Sequence, residues 1–363
     1  MLRIIYTPEI FSLQRVGGIS RYICELITRV PNQGVSAKTV AGIHFNRHLR
    51  RLPVRAGFYI PKLGPLGNYR LQFNQAICRR IAARTPSAVI HCTYYSDAEY
   101  PASHPLVLTV YDMIDELFPE QSAAVPAGLK RRHCEHADHI VAISAVTKQD
   151  LIDTFRIPSE KITVVHLADS LSAVSSRNLG GSPGSYLLHV GVRKGYKNFA
   201  RFLEAFAASS FLKDKFDVVA FGGGDFSAEE TDLIARLNVA KKVRFVAGDD
   251  RALASYYRNA AALVFPSLYE GFGLPILEAM GQNCPVICSD AGSLREIGGD
   301  AVAYFDPRDV ENMQQVMEQT LGSADRLNDL RRLGSARKEF FSWDKCAQET
   351  ADVYRRVARR SAS

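Results

Sequence analysis

The chain has 363 residues, 47% hydrophobic and 23% charged, which is enough apolar material for two packed domains and excludes a disordered chain. No run is apolar for long enough to span a bilayer as a helix, and seven scattered cysteines without a Cys-x-x-Cys pair point to reduced, packed thiols rather than disulfides or a metal site. The net charge of +7 is unevenly spread: between Leu26 and Ser96 there is no Asp or Glu, while eleven Lys and Arg fall there, leaving the remainder at −4 (7 − 11) and predicting an anionic partner for this sector.

In chain order, Met1-Leu2-Arg3-Ile4-Ile5-Tyr6 is short and β-branched and has no apolar core or cleavage site of a signal peptide. It reads as a first strand of a cytoplasmic protein. Short apolar runs follow at 37–41, 88–92, 106–110, 139–143 and 162–166. Amphipathic helices separate them, the clearest after Gly17-Gly18, where Ile19, Tyr22, Ile23, Leu26, Ile27 and Val30 recur at helical spacing. Alternating strands and helices with apolar strands predict a parallel, doubly wound α/β sheet.

Residues 170–185 are rich in Ser and Gly and read as an interdomain linker. The alternation restarts with strands at 186–190, 217–221, 243–246, 262–266, 286–289 and 301–305, and the chain closes with a helix over Trp343–Arg360. The expected organisation is an N-terminal Rossmann-like domain at 1–168, a linker at 169–181, a C-terminal Rossmann-like domain at 182–340 and a final helix at 341–363.

The most informative segment runs from Pro266 to Met280. A strand ends at Pro266; Gly271 and Gly273 let a ligand approach the backbone, and Pro275 opens a helix. Such a loop lies where open α/β sheets bind ligands, and the helix start offers N–H groups to phosphate. Glu270 and Glu278 each accept two hydrogen bonds, which suits sugar or ribose hydroxyls.

The segment resembles the Glu-(seven residues)-Glu signature of the family 4 retaining glycosyltransferases, whose fold is GT-B. The resemblance extends to Gly17-Gly18-Ile19-Ser20, to Ile143-Ser144 and the helix through Asp150-Leu151, to the run from His189 to Phe199, and to Trp343 through Tyr354. It implies two Rossmann-like doubly wound domains facing a cleft, with the last helix crossing back to the N-terminal domain. It also implies that Arg193 and Lys197 grip the donor diphosphate, with Lys194 an alternative register for Lys197, and that two fixed cations serve without a metal or other cofactor. Glu270 then faces the transferred sugar and Glu278 the ribose; Phe272, Gly273 and Leu274 present backbone amides, and Gly17 and Gly18 close over the phosphate. Gly191 begins the Arg193 loop, and Gly222-Gly223-Gly224 either lines the nucleotide pocket or forms a plain tight turn. Asp112 orients donor or acceptor hydroxyls or serves the strand end structurally; Tyr111 stands where relatives often carry His, and can offer only a hydroxyl.

The resemblance is to mannosyl transfer in surface-polysaccharide and lipopolysaccharide assembly, so GDP-mannose is the favoured donor and UDP-hexoses the alternative. The acceptor is a saccharide, free or linked to polyprenyl diphosphate. Within residues 45–62, Phe45, Leu49, Leu52, Phe58, Tyr59 and Ile60 alternate with Arg47, Arg50, Arg51 and Arg55, which suits either peripheral contact with an anionic membrane at its inner face or a solvated loop. No nucleic-acid motif accompanies the charge. His133, His136 and His139 match no metal-ligand spacing. The rival functions are a GT-B nucleotide-sugar epimerase, which needs no acceptor, and a non-catalytic nucleotide-sugar-binding scaffold.

Overall fold

The computed structural model describes residues 1–52, 57–61, 67–120, 125–126, 128–171 and 185–360. The chain divides into two compact units. The first comprises Met1–Leu167 with Ser342–Ser363, and the second Ala168–Phe341. Most of the expected linker, at 172–184, lies outside the described residues.

Eight strands belong to the first unit: β1 (Arg3–Tyr6), β2 (Ser36–Thr39), β3 (Gly42–His44), β4 (Gly57–Tyr59), β5 (Val89–Cys92), β6 (Leu106–Val110), β7 (His139–Ala142) and β8 (Ile162–Val164). Six form a parallel sheet in the order β2-β1-β5-β6-β7-β8. The central β5 and β7 are buried at every position, as expected of strands covered on both faces. The order reverses between β1 and β5, so the chain leaving β1 and the chain leaving β5 diverge at their carboxyl ends. The Gly17-Gly18 turn follows β1 and starts the helix Gly18–Arg29, whose Tyr22, Ile23, Leu26 and Ile27 are buried. β3 and β4 pair in a separate two-stranded sheet that the sequence analysis did not anticipate.

The second unit holds β9 (Tyr186–Val190), β10 (Asp217–Phe221), β11 (Val243–Val246), β12 (Ala262–Phe265), β13 (Val286–Ser289) and β14 (Ala303–Phe305). They form a parallel sheet in the order β11-β10-β9-β12-β13-β14, reversing between β9 and β12. Phe199, Phe202, Leu203 and Phe206 from the helix Phe199–Ala208 pack with Met313, Met317 and Leu321 of Val310–Leu321 in one core cluster.

The closing helix, Trp343–Arg360, belongs to the first unit. Trp343, Cys346, Ala347, Thr350, Ala351, Tyr354 and Val357 are buried, a stripe at helical spacing. A buried polar chain anchors it. The Tyr354 hydroxyl donates to that of Tyr6 at 3.0 Å and meets His91 Nδ1; His91 Nε2 lies 2.9 Å from Thr109 Oγ1, which is 3.2 Å from the Tyr22 hydroxyl. One network thus joins β1, β5, β6, the helix Gly18–Arg29 and the closing helix. All seven cysteines are buried and unpaired.

Two outcomes follow from this network. Tyr354→Phe removes the hydroxyl but keeps the ring, leaving two buried polar groups short of a partner, so it is expected to destabilise the first unit by about 2 kcal/mol in urea unfolding. Burial holds His91 down to about 3 and His189 to about 4; His139 falls to about 4 through burial and then Arg356 and Arg360. These rings stay neutral in the folded chain but take a proton below about pH 6.5 when unfolded, so their contribution is present above that pH and is lost as pH falls toward 4. Urea midpoints measured from pH 7.5 to 4.5 should fall steadily.

Candidate active site

Open α/β sheets bind ligands where the strand order reverses, outside the carboxyl ends of the strands. In the second unit that place is between β9 and β12. The loop after β9 carries Lys197 and the loop after β12 carries Glu270. The sequence brings them together through local chemistry. After Gly191 (φ +111°), residues Gly195–Lys197 form one 3-10 turn, and Asn198 at φ +58° opens the next helix. The Asn198 amide donates to the carbonyls of Pro266 (3.0 Å) and Pro307 (2.7 Å), and the Leu268 N–H donates to Tyr196 O at 2.7 Å. With the loops tied in this way, Lys197 Nζ lies 2.6 Å from Glu270 Oε1, both side chains only 14% and 11% exposed.

The turn that follows is pinned from β13. The Ser293 hydroxyl lies 2.9 Å from Glu270 O and 2.8 Å from Phe272 O, within reach to donate to either. Gly292, at φ +59°, lies so close that a Cβ there would sit 3.1 Å from the Glu270 N and O. Gly273 takes φ +101° as the N-cap of the helix Leu274–Gly281, and a Cβ there would sit 2.7 Å from Leu294. This helix directs its N-terminus, with Leu274 and Pro275 in its first turn, at the ligand edge of the sheet. One turn further, Glu278 accepts the Tyr257 hydroxyl at 3.0 Å. Burial, and then Glu278 itself, push the Tyr257 phenol well above its usual range, so it remains a donor that orients this carboxylate.

Arg193 has its partners within the unit. Its side chain is 2% exposed and points into the unit. Nε donates to Glu230 Oε1 at 2.9 Å, Nη1 to Gly222 O at 2.8 Å, and Nη2 to Gly224 O (2.8 Å), Asp225 O (2.9 Å) and Glu230 Oε2 (3.2 Å). Its guanidinium also lies 4.8 Å from the Phe226 ring. Swinging it out to a diphosphate would give up all five of these hydrogen bonds. Arg193 therefore braces the glycine loop after β10. Gly223 is required there, since a Cβ would fall 2.7 Å from Gly191 O and 3.0 Å from Arg193 Nη1. Lys194 is exposed, and Lys197 pairs with Glu270.

In the first unit, Gly17 caps the helix Gly18–Arg29, with Gln14 Oε1 accepting the Ser20 N–H at 3.0 Å and Ser20 donating to Gly17 O at 3.1 Å. Gln14 was not singled out from the sequence. The Tyr111 hydroxyl is buried and donates to Thr93 O at 3.1 Å, so it is committed to the fold and not offered to a ligand. Asp112 accepts the Ile114 N–H at 3.1 Å and belongs to an acidic group around Lys130, which is 2% exposed and lies 2.7 Å from Glu116, 3.2 Å from Asp115 and 3.8 Å from Asp112. Burial alone would lower the Lys130 pKa, but Asp112, Glu116 and Asp115 together outweigh it and hold it above its usual value. The three histidines have separate partners: His133 meets the Ser96 backbone, His136 the Arg132 carbonyl and His139 the Thr163 hydroxyl. Among the described residues no group of three or more His, Cys, Asp and Glu is gathered to hold a metal ion.

Comparison with known proteins places this geometry. Residues 16–168 match a family model described as Glycosyltransferase Family 4, and residues 179–339 one described as Glycosyl transferases group 1. The chain is 28% identical over 236 residues to O-antigen chain mannosyltransferase B of Escherichia coli, covering 61% of each chain. It is 27% identical over 215 residues to O-antigen chain mannosyltransferase RfbU of Salmonella typhimurium, covering 58% of this chain and 59% of that one. These matches span less than two thirds of either relative. Sucrose-phosphate synthase from Thermosynechococcus elongatus shares the fold over 100% of both chains, with a TM-score of 0.74 at 20% identity. With one family model on each parallel-sheet unit and a full-length likeness in fold, the chain belongs to the family 4 glycosyltransferases of the GT-B fold.

Proposed function

We propose that the chain is a retaining, metal-independent hexosyltransferase that moves mannose from GDP-mannose to a saccharide or polyprenyl-diphosphate-linked acceptor in surface-polysaccharide assembly. The observation that carries this reading is the Lys197–Glu270 pair set 2.6 Å apart beside the N-terminus of Leu274–Gly281. The departing diphosphate gains charge as the glycosidic bond breaks. Lys197 and the helix N-terminus then supply the positive field that a metal would otherwise bring. Glu270, held by Lys197, is a weak nucleophile and a good acceptor for a sugar hydroxyl. That favours front-face attack: the acceptor oxygen bonds the anomeric carbon on the side the diphosphate leaves, and the acceptor proton passes to the departing phosphate oxygen. Glu278, oriented by Tyr257, suits the ribose hydroxyls. The choice of mannose rests on the two O-antigen mannosyltransferase relatives.

We also assign the first unit a peripheral contact with anionic membrane on the cytoplasmic side. Among the described residues no helix is long and apolar enough to cross a membrane. Phe58 (79%), Tyr69 (73%), Phe73 (53%) and Leu13 are exposed apolar side chains. Asn74 bonds to both Ser12 and Ile43, and Ile43 pairs with Phe58, so the segments carrying Leu13, Phe58 and Phe73 meet at one bonded junction. Arg15, Arg47, Arg50 and Arg51 are exposed around them, and from Ile10 to Ser96 the one carboxylate is Glu25. Arg55 and Lys62 lie outside the described residues.

Nucleotide release from a panel of GDP- and UDP-sugars, with and without lipid-linked acceptor and EDTA, tests the reaction. GDP-mannose should be consumed, acceptor should stimulate it, EDTA should not slow it, and the product should keep the donor's anomeric configuration by NMR. Lys197→Ala should lower kcat by about a hundredfold or more. Inhibition by EDTA would sink metal independence; an isomerised sugar released without acceptor would replace the transferase with an epimerase. In co-sedimentation the chain should bind anionic vesicles but not zwitterionic ones, losing binding in 0.5 M salt and in F58S/F73S, with salt acting by screening at about a Debye length of a few Å. Equal binding to neutral vesicles would overturn the charge argument.

A further inference from the structure

The Arg193 guanidinium takes up the carbonyls of Gly222, Gly224 and Asp225 and the carboxylate of Glu230. A trans peptide unit is planar, so a carbonyl and the N–H that follows it point in opposite directions. Carbonyls drawn inward by Arg193 therefore turn the N–H groups of Gly223 and Asp225 outward. Gly223, Gly224 and Asp225 are exposed, and among the described residues neither the Gly223 nor the Asp225 amide has a partner. The loop holds this shape only with Gly222, Gly223 and Gly224 at φ +82°, +77° and +82°, a run of left-handed residues with little rigidity of its own. Its rigidity comes from Arg193 and from Glu230, which is itself fixed by a reciprocal capping box with Ser227 at the start of the helix Ala228–Arg236. The loop leaves β10 beside β9, at the same sheet edge as Lys197, and Gly191 N–H donates to Phe221 O at 2.9 Å.

We propose that Arg193, paired with Glu230, is a positioning residue for donor binding, turning the Gly223 and Asp225 amides toward the nucleoside portion of the donor. The inference rests on the reading of the chain as a nucleotide-sugar enzyme. The nucleoside fits better than the diphosphate because Asp225, which supplies one of these amides, is exposed and itself carries a carboxylate: donor and acceptor on one residue suit a neutral ribose or base and disfavour phosphate.

The test measures binding of GDP, GMP, UDP and UMP to the full chain by calorimetry, with donor KM and kcat alongside. The variants are R193M, R193K, E230Q, R193M/E230Q and G223A. Affinity for mono- and diphosphate of the same base should fall by the same factor, about tenfold, in R193M, E230Q and G223A, with KM rising in parallel and kcat at saturation retained within about threefold. The double variant should be no weaker than the weaker single, because both act on one loop. Lysine lacks the fork that reaches three carbonyls at once, so R193K should not rescue. If R193M does not fold, E230Q and G223A decide the matter. Unchanged affinity in E230Q and G223A would overturn the inference. So would loss of GDP binding with GMP binding intact, or loss of kcat in the Arg193 variants alone, which would put the guanidinium on the reacting phosphate. A wild-type chain that binds a nucleotide but transfers no sugar would defeat the transferase reading and leave the binding result standing. Binding of none of the four would defeat both.

Discussion

Everything at the ligand edge of the second unit depends on the reversal of strand order between β9 and β12. At any other pair of neighbouring parallel strands the two connections leave toward the same side and cover the strand ends. Here they leave in opposite directions, and their separation is fixed by hydrogen bonds between the two departing loops, Asn198 to Pro266 and Leu268 to Tyr196, with Asn198 also bonded to Pro307 beyond β14. Lys197 and Glu270 meet because those bonds fix the separation of their backbones. An ion pair of this kind contributes little to stability once desolvation is subtracted. It does hold one cation and one acceptor in fixed positions.

The same edge shows two arginine-or-lysine solutions with different ends. Lys197 pairs with the Glu270 carboxylate and keeps partial exposure. Arg193 is surrounded by four acceptor groups and nearly sealed. The planar fork explains the choice: five N–H groups in one plane satisfy several carbonyls at once, which an ammonium on a flexible stem does not do as well. A cation following a strand can thus serve either the ligand or the loop that faces it.

Both sheets were legible because buried parallel strands are continuous apolar runs, and several ends, such as Tyr186–Val190 and Val286–Ser289, coincide with those runs. β3 and β4 were not, since three residues each carry no periodic signal. The Glu270 turn was visible from its glycines and proline, but its support by Ser293 was not: the contact spans 23 positions, and only the Gly292-Ser293 pair after a strand hints at it. The partners of Arg193 were hidden for the same reason. Ser227-x-x-Glu230 is a readable capping box, yet nothing local says that its carboxylate also receives an arginine 37 positions earlier. The hydroxyl that Tyr111 could offer is likewise taken up by Thr93, which follows β5 and is 18 positions earlier in the chain.

The two units use charge in opposite ways. Around the second unit's ligand edge the cations are paired with carboxylates, Lys197 with Glu270 and Arg193 with Glu230, so the local field is directional and short in range. The first unit's basic sector has almost no carboxylates to pair with, and such a field extends about a Debye length, roughly 8 Å at physiological salt, into solvent. A fixed, compensated site suits one small ligand bound in one pose. An uncompensated surface with protruding Phe58, Tyr69 and Phe73 suits an extended anionic partner that needs no single pose. The closing helix serves stability: its Tyr354 joins the network that ties β1, β5 and β6 together.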